Sequence, residues 1–153
     1  MGIMTAKYAG CCLSLIMIFL PSAAVADTPI GQVKTESGKV IVERGGAGKP
    51  LAIGERVFVS DTIVTADGTV GITFADNSMM SLGPYSRLSL DQFKFDATTQ
   101  NGVFNTSLQK GTLAVKSGQI VRQTPEAMHV RTPAALLGVR GTEFVVSADD
   151  VKP

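Results

Sequence analysis

Val70-Gly71-Ile72-Thr73-Phe74-Ala75 alternates without a break: Val70, Ile72 and Phe74 point one way, Gly71, Thr73 and Ala75 the other. Successive side chains of a strand face opposite sides of a sheet, so this period of two reads as a half-buried strand. Asp76-Asn77-Ser78 is the turn that follows, and Met80 and Leu82 carry the pattern to Gly83-Pro84.

The same rhythm extends in both directions. Upstream, Val40-Ile41-Val42 precedes Gly45-Gly46-Ala47-Gly48-Lys49-Pro50, read as a mobile loop, and Leu51, Ile53, Val57 and Val59 lead to Ile63-Val64. Asp67-Gly68 is expected to close a tight hairpin, the glycine supplying a positive φ. Downstream come Leu88, Leu90, Phe93 and Phe95, then Val103, Leu108, Leu113 and Val115, then Ile120 and Val121. One helical turn is expected near 133–137, where Thr132-Pro133-Ala134-Ala135-Leu136-Leu137-Gly138 offers a hydroxyl N-cap, proline at the first position and glycine past the end. A final strand is expected from Val139 through Phe144-Val145-Val146. About ten short strands so spaced predict an all-β fold, a sandwich or a β-solenoid-like arrangement. Gly31-Gln32-Val33 and Gly111-Thr112-Leu113 are loosely alike but set no fixed period, so both arrangements stay open.

A chain of 153 residues has room for one such domain and a targeting segment. Residues 1–26 carry Lys7, an apolar run over residues 8–20, the helix-breaking Pro21 and the small residues Ala24-Val25-Ala26. That order predicts a cleavable signal peptide cut between Ala26 and Asp27, leaving residues 27–153 as the domain. The run falls short of the roughly 20 residues of a spanning helix, and no later run reaches that length. Export to the periplasm or the medium follows as the expectation. Cys11 and Cys12 both lie in the predicted leader, so the processed chain holds no thiol and relies on packing.

The chain has 14 Lys+Arg against 13 Asp+Glu, and the leader contains one base and no acid, so the processed domain is formally neutral. Nucleic acid and anionic membranes select a basic surface, and this balance argues against both as partners.

No catalytic constellation emerges, and neither a cofactor nor a metal is expected. His129 is the only histidine, so neither a two-imidazole site nor a Cys/His zinc site can be assembled from the processed chain. Gly45-Gly46-Ala47-Gly48-Lys49 is not a phosphate loop, because Glu43 and Pro50 stand where that motif needs Gly and Ser or Thr. Asp61, Asp67 and Asp76 fall at turns, where aspartate bonds backbone amides. Three residues are candidates for partner contact: Met79 and Tyr85, for their adaptable or amphipathic side chains, and Arg140, for its planar, directional donors. Arg140 is read first as an ion-pair partner of an acid such as Asp61 or Asp76.

Several stretches together resemble the FecR domain: Gly31-Gln32-Val33, Gly38-Lys39-Val40, Leu51-Ala52-Ile53-Gly54-Glu55-Arg56-Val57, Ser60-Asp61-Thr62-Ile63-Val64-Thr65, Phe74-Ala75-Asp76-Asn77-Ser78 and Leu82-Gly83-Pro84-Tyr85-Ser86. The most specific piece runs from Val130-Arg131-Thr132-Pro133-Ala134 to Val139-Arg140-Gly141-Thr142-Glu143-Phe144-Val145-Val146. The resemblance implies a periplasmic β module for signalling and protein binding, without catalytic residues to transfer. It does not imply sigma-factor control, because the cytoplasmic and membrane-spanning segments of the signalling members have no counterpart in this sequence. The expected partner is a periplasmic or envelope protein, with a cell-envelope glycan as the alternative, and the oligomeric state stays open. A hydrolase using acids such as Asp61 and Glu143 is the remote rival, since two carboxylates can suffice for glycoside hydrolysis.

Overall fold

The computed structural model describes Gly2 and residues 27–149. The predicted leader, with Cys11 and Cys12, lies outside the described residues. Among the described residues, twelve strands form one continuous sheet. In chain order they are β1 (Gly31–Ser37), β2 (Val40–Arg44), β3 (Ala47–Pro50), β4 (Arg56–Val57), β5 (Thr62–Thr65), β6 (Thr69–Phe74), β7 (Met79–Leu82), β8 (Arg87–Phe95), β9 (Gly102–Lys116), β10 (Met128–Arg131), β11 (Leu136–Gly138) and β12 (Glu143–Ala148). One helix, α1 (Gln119–Gln123), follows β9.

The sheet curls into a half-barrel with two leaves facing each other. The first leaf runs β4-β1-β6-β7-β9-β12 and the second β3-β2-β5-β8-β9-β10-β11. β9 belongs to both, residues 111–116 pairing with β7 and β12 and the earlier part with β8 and β10. Every pairing is antiparallel except β10 on β9.

Four strand lines cross between the leaves side by side, and their crossings form a seam. β1 passes into β2 at Gly38-Lys39, β5 into β6 at residues 66–68, β7 into β8 at residues 83–86, and β9 bends at Gly111. Backbone and hydroxyl groups stitch the lines together. Ala66 N donates to Lys39 O at 3.0 Å and Tyr85 N to Ala66 O at 2.6 Å. The buried Thr65 hydroxyl donates to Gly83 O at 2.7 Å and accepts from Ser86 N at 2.9 Å. The buried Ser86 hydroxyl accepts from Thr112 N at 3.0 Å. Such complete pairing is what allows polar groups to sit at a buried bend.

Glycines are required there by close approach. A Cβ at Gly68 would lie 2.2 Å from Ser37 O, and one at Gly111, whose φ is +90°, 2.4 Å from Ser86 Cα. Gly68 has no positive φ, so the expected Asp67-Gly68 hairpin is corrected: the segment crosses between leaves, and the glycine serves packing.

Between the leaves lies the core. Val33, Ile72, Met80, Leu82 and Leu113 come from one leaf, and Ile63, Leu88, Leu90, Phe104 and Leu108 from the other, all essentially inaccessible. Phe74 of the first leaf meets Phe104 of the second edge-on, centroids 4.7 Å apart, and Phe93 meets Phe104 at 4.9 Å. This offset geometry suits the ring quadrupoles.

Two further expectations are corrected. Residues 133–137 are not a helical turn: Thr132-Pro133-Ala134-Ala135 closes the β10–β11 hairpin, with Thr132 N donating to Ala135 O at 2.8 Å and the Thr132 hydroxyl accepting from Ala135 N at 3.1 Å. The capping hydroxyl acts as predicted, but strand pairing, not a helix, takes the residues beyond it. The helix instead occupies Gln119–Gln123, where no side chain caps it; Gln119 N donates to Asp76 O at 2.8 Å and Ile120 and Val121 are buried. Residues 45–50 are not merely a loop: Gly45 and Gly46, at φ +58° and +80°, make a two-residue turn that joins β2 to β3.

Candidate functional site

On the outer face of the second leaf, β8, β9, β10 and β11 shape a groove of about 680 Å³. Its side chains come from local features of the sheet. β8 carries a bulge between Leu90 and Gln92: Leu90 faces Thr106, and Gln92 faces Asn105, leaving Asp91 as the extra residue. The bulge breaks the alternation, so Asp91 and Gln92 both point outward. β9 supplies Asn105 and Ser107 on the same face, and β10, lying parallel to β9, sets His129 beside Asn105 and Arg131 beside Ser107. Exposed Leu136 of β11 adds one apolar wall.

These groups form two rows across the strands. In one, Asn105 Nδ2 donates to Gln92 Oε1 at 2.8 Å, and Asn105 Oδ1 lies 3.3 Å from His129 Nδ1. In the other, the Ser107 hydroxyl donates to Asp91 Oδ2, and the Ser89 hydroxyl to Asp91 Oδ1 at 2.9 Å. The rows hold the side chains in place while the Gln92 amino group, His129 Nε2 and the Arg131 guanidinium keep free hydrogen-bonding capacity. Arg131 has no side-chain partner among the described residues. The imidazole of His129 is oriented by an amide, and the neighbouring hydroxyl of Ser107 is bonded to Asp91. A nucleophile–base–acid relay needs different partners. Among the described residues no group of three or more His, Cys, Asp or Glu is placed to hold a metal.

The other buried or paired charges are structural. Asp61, fully buried, receives Arg44 Nε at 2.7 Å, Arg44 Nη2 at 2.6 Å and Phe58 N at 2.9 Å, and the guanidinium stacks 4.4 Å over the Phe58 ring. The hydrogen bonds to Asp61 raise the Arg44 pKa above its ordinary value, against the opposing effect of burial. Asp76 accepts from Ser78 N at 3.0 Å and from the Ser78 hydroxyl at 2.6 Å, and that hydroxyl accepts from Gly118 N at 3.1 Å. The turn thereby anchors the start of α1. At the surface, hydrogen bonds from Arg87 hold the Glu43 carboxyl below its usual range. Backbone amides of Thr98 and Thr99 do the same for Asp96.

The three sequence candidates sit apart from the groove and from one another. Met79 is 48% exposed on the outer face of the first leaf, beside Ala114 and Val145. Tyr85, 67% exposed at a φ of +54°, projects from the seam. Arg140 lies between β11 and β12, not within a strand as expected, and pairs at 2.5 Å with Glu126, not with Asp61 or Asp76. Both partners are about three-quarters exposed, so the pair contributes little stability. The sequence singled out His129 but not Asp91, Gln92, Asn105, Ser107 or Arg131. A signal for the first two was present: apolar residues at 88 and 90 resume at 93 and 95, a one-residue phase slip that marks a bulge.

A family model described as FecR protein matches residues 61–152. The matched span takes in β5 to β12, with the groove and most of the seam, and leaves β1 to β4 outside. FecR is a signalling and regulatory family, typically associated with the cell envelope. No curated protein and no solved structure matches the chain. No helix among the described residues is long and apolar enough to cross a membrane.

Proposed function

The chain belongs to the FecR family, and from that membership we infer that it is an exported, non-catalytic interaction module acting in the periplasm or the medium through contacts with a protein or another envelope ligand. The family match carries the reading. The leader-like residues 1–26 support export, and the groove supports recognition: concave, fixed by its own hydrogen bonds, with unsatisfied donors aimed outward. Arg131 offers a planar fork suited to a carboxylate, and Gln92 an amide suited to a peptide backbone.

The test is photo-crosslinking in intact cells from a probe amino acid at Gln92, with mass spectrometry of the adducts and of the protein's own N-terminus. Expected are a chain beginning at Asp27 and one dominant envelope protein adduct that Arg131→Ala removes. Adducts no richer than those from a probe at exposed Thr98 overturn the reading. Recovery of a glycan in their place selects the carbohydrate-binding alternative, which the polar lining also fits, although among the described residues no Phe, Tyr or Trp ring lines the groove for stacking.

A further inference from the structure

Among the described residues, four strands of the sheet have a neighbour on one side only: β3, β4, β11 and β12. An open edge is a template for another strand, and folded proteins blunt it with short strands, charge, proline or bulges. β3 carries Lys49 and Pro50, β4 is two residues long with Arg56, and β11 is three residues long. β12 has only one of these, the charge of Glu143 at its first position. Glu143-Phe144-Val145-Val146-Ser147-Ala148 runs six residues in unbroken register with β9, without lysine, proline or bulge.

The hydrogen-bond phase identifies which groups face outward. Ser117 N donates to Thr142 O at 2.8 Å, so Thr142, Phe144, Val146 and Ala148 point their backbone groups toward β9. By alternation Glu143, Val145 and Ser147 present theirs to the open side. The same three side chains lie on the exposed face, Val145 at 68%, in a row with Ala114 and Ser81.

We propose that this edge pairs with β12 of a second copy of the chain, antiparallel and two-fold symmetric about Val145. Charge selects that register. Centred on Val145, Glu143 faces the partner's Ser147 and Phe144 faces the partner's Val146, while Asp149 comes opposite the partner's Gly141, next to its Arg140. Centred on Val146, Glu143 would meet the partner's Asp149, and like charges directly opposite are destabilising. The two-fold register also joins the exposed Ala114–Val145 rows of both copies and leaves the Lys116–Glu143 ion pair, 3.5 Å in each, intact. Six residues a side bury far less than the roughly 1,200 Å² of a stable interface, so the dimer is weak and forms at high local concentration. The groove takes no part in it.

Single cysteines in the exported protein give the test, with the unmodified protein oxidised in parallel. Val145→Cys lies on its own symmetry mate, where paired strands hold Cα atoms about 5.5 Å apart, within disulfide reach. Ser147→Cys is also exposed but faces the partner's Glu143. The expected result is a Val145→Cys disulfide dimer, little from Ser147→Cys, and concentration-dependent association of the unmodified protein that Val145→Lys weakens by roughly tenfold or more with an unchanged circular dichroism spectrum. Equal crosslinking of the two cysteines, or a protein that sediments as a monomer up to millimolar concentration, overturns the proposal.

Discussion

At the seam, Thr65 and Ser86 are buried and their hydroxyls are committed to backbone groups of two neighbouring strand lines, β7–β8 and β9. In the groove, residues of similar chemistry, Ser107, Asn105 and Gln92, are at least partly exposed; Asn105 bonds to Gln92 and Ser107 to Asp91. The seam therefore holds the two leaves at a fixed angle and has no hydrogen-bonding capacity left, whereas the groove is oriented but still able to bind. Change at the first should cost folding, and change at the second should cost recognition.

The largest effect is expected from Gly111→Ala, which sets a Cβ against Ser86 at an unfavourable φ. Chemical denaturation should give a loss of roughly 3 kcal/mol or more. A loss under about 1 kcal/mol would mean that the seam relaxes and that the comparison is too strict. Thr65→Val should come next, at about 1–3 kcal/mol, because Ser86 N loses its buried acceptor while shape is preserved. Asn105→Ala and Arg131→Ala should each stay within about 0.5 kcal/mol of the parent in the same measurement while abolishing the crosslink from position 92.

The smallest effect concerns Glu43 at the surface. Its pKa is lowered in the folded state by Arg87, so the stabilisation is present above the ordinary carboxylate value and is lost as pH falls through the folded one. Thermal melts below about pH 4.3 should therefore fall less steeply for Glu43→Gln than for the parent. Parallel acid limbs would show that solvent already screens the pair.

The alternation at Val70–Phe74 and the Asp76-Asn77-Ser78 turn were legible because their cause is local: side chains alternate along a strand, and aspartate bonds the amides two residues on. The groove was half legible. The phase slip at Asp91-Gln92 is written in the chain, but the approach of His129 and Arg131 is not, because it depends on β10 lying parallel to β9, with Met128 opposite Phe104 and Arg131 opposite Ser107. Thr132-Pro133-Ala134-Ala135 shows the same boundary, since its capping chemistry suits a helix start as well as a hairpin.

The sequence by itself therefore determined an all-β chain, its main turns, the inward-facing set and the FecR likeness, because hydrophobic period and turn chemistry act between near neighbours. The tertiary structure decided where the sheet folds over, which strands share a face and which edge stays open. Those outcomes depend on pairings between distant segments, and the free energy that selects them is the burial of both leaves against each other.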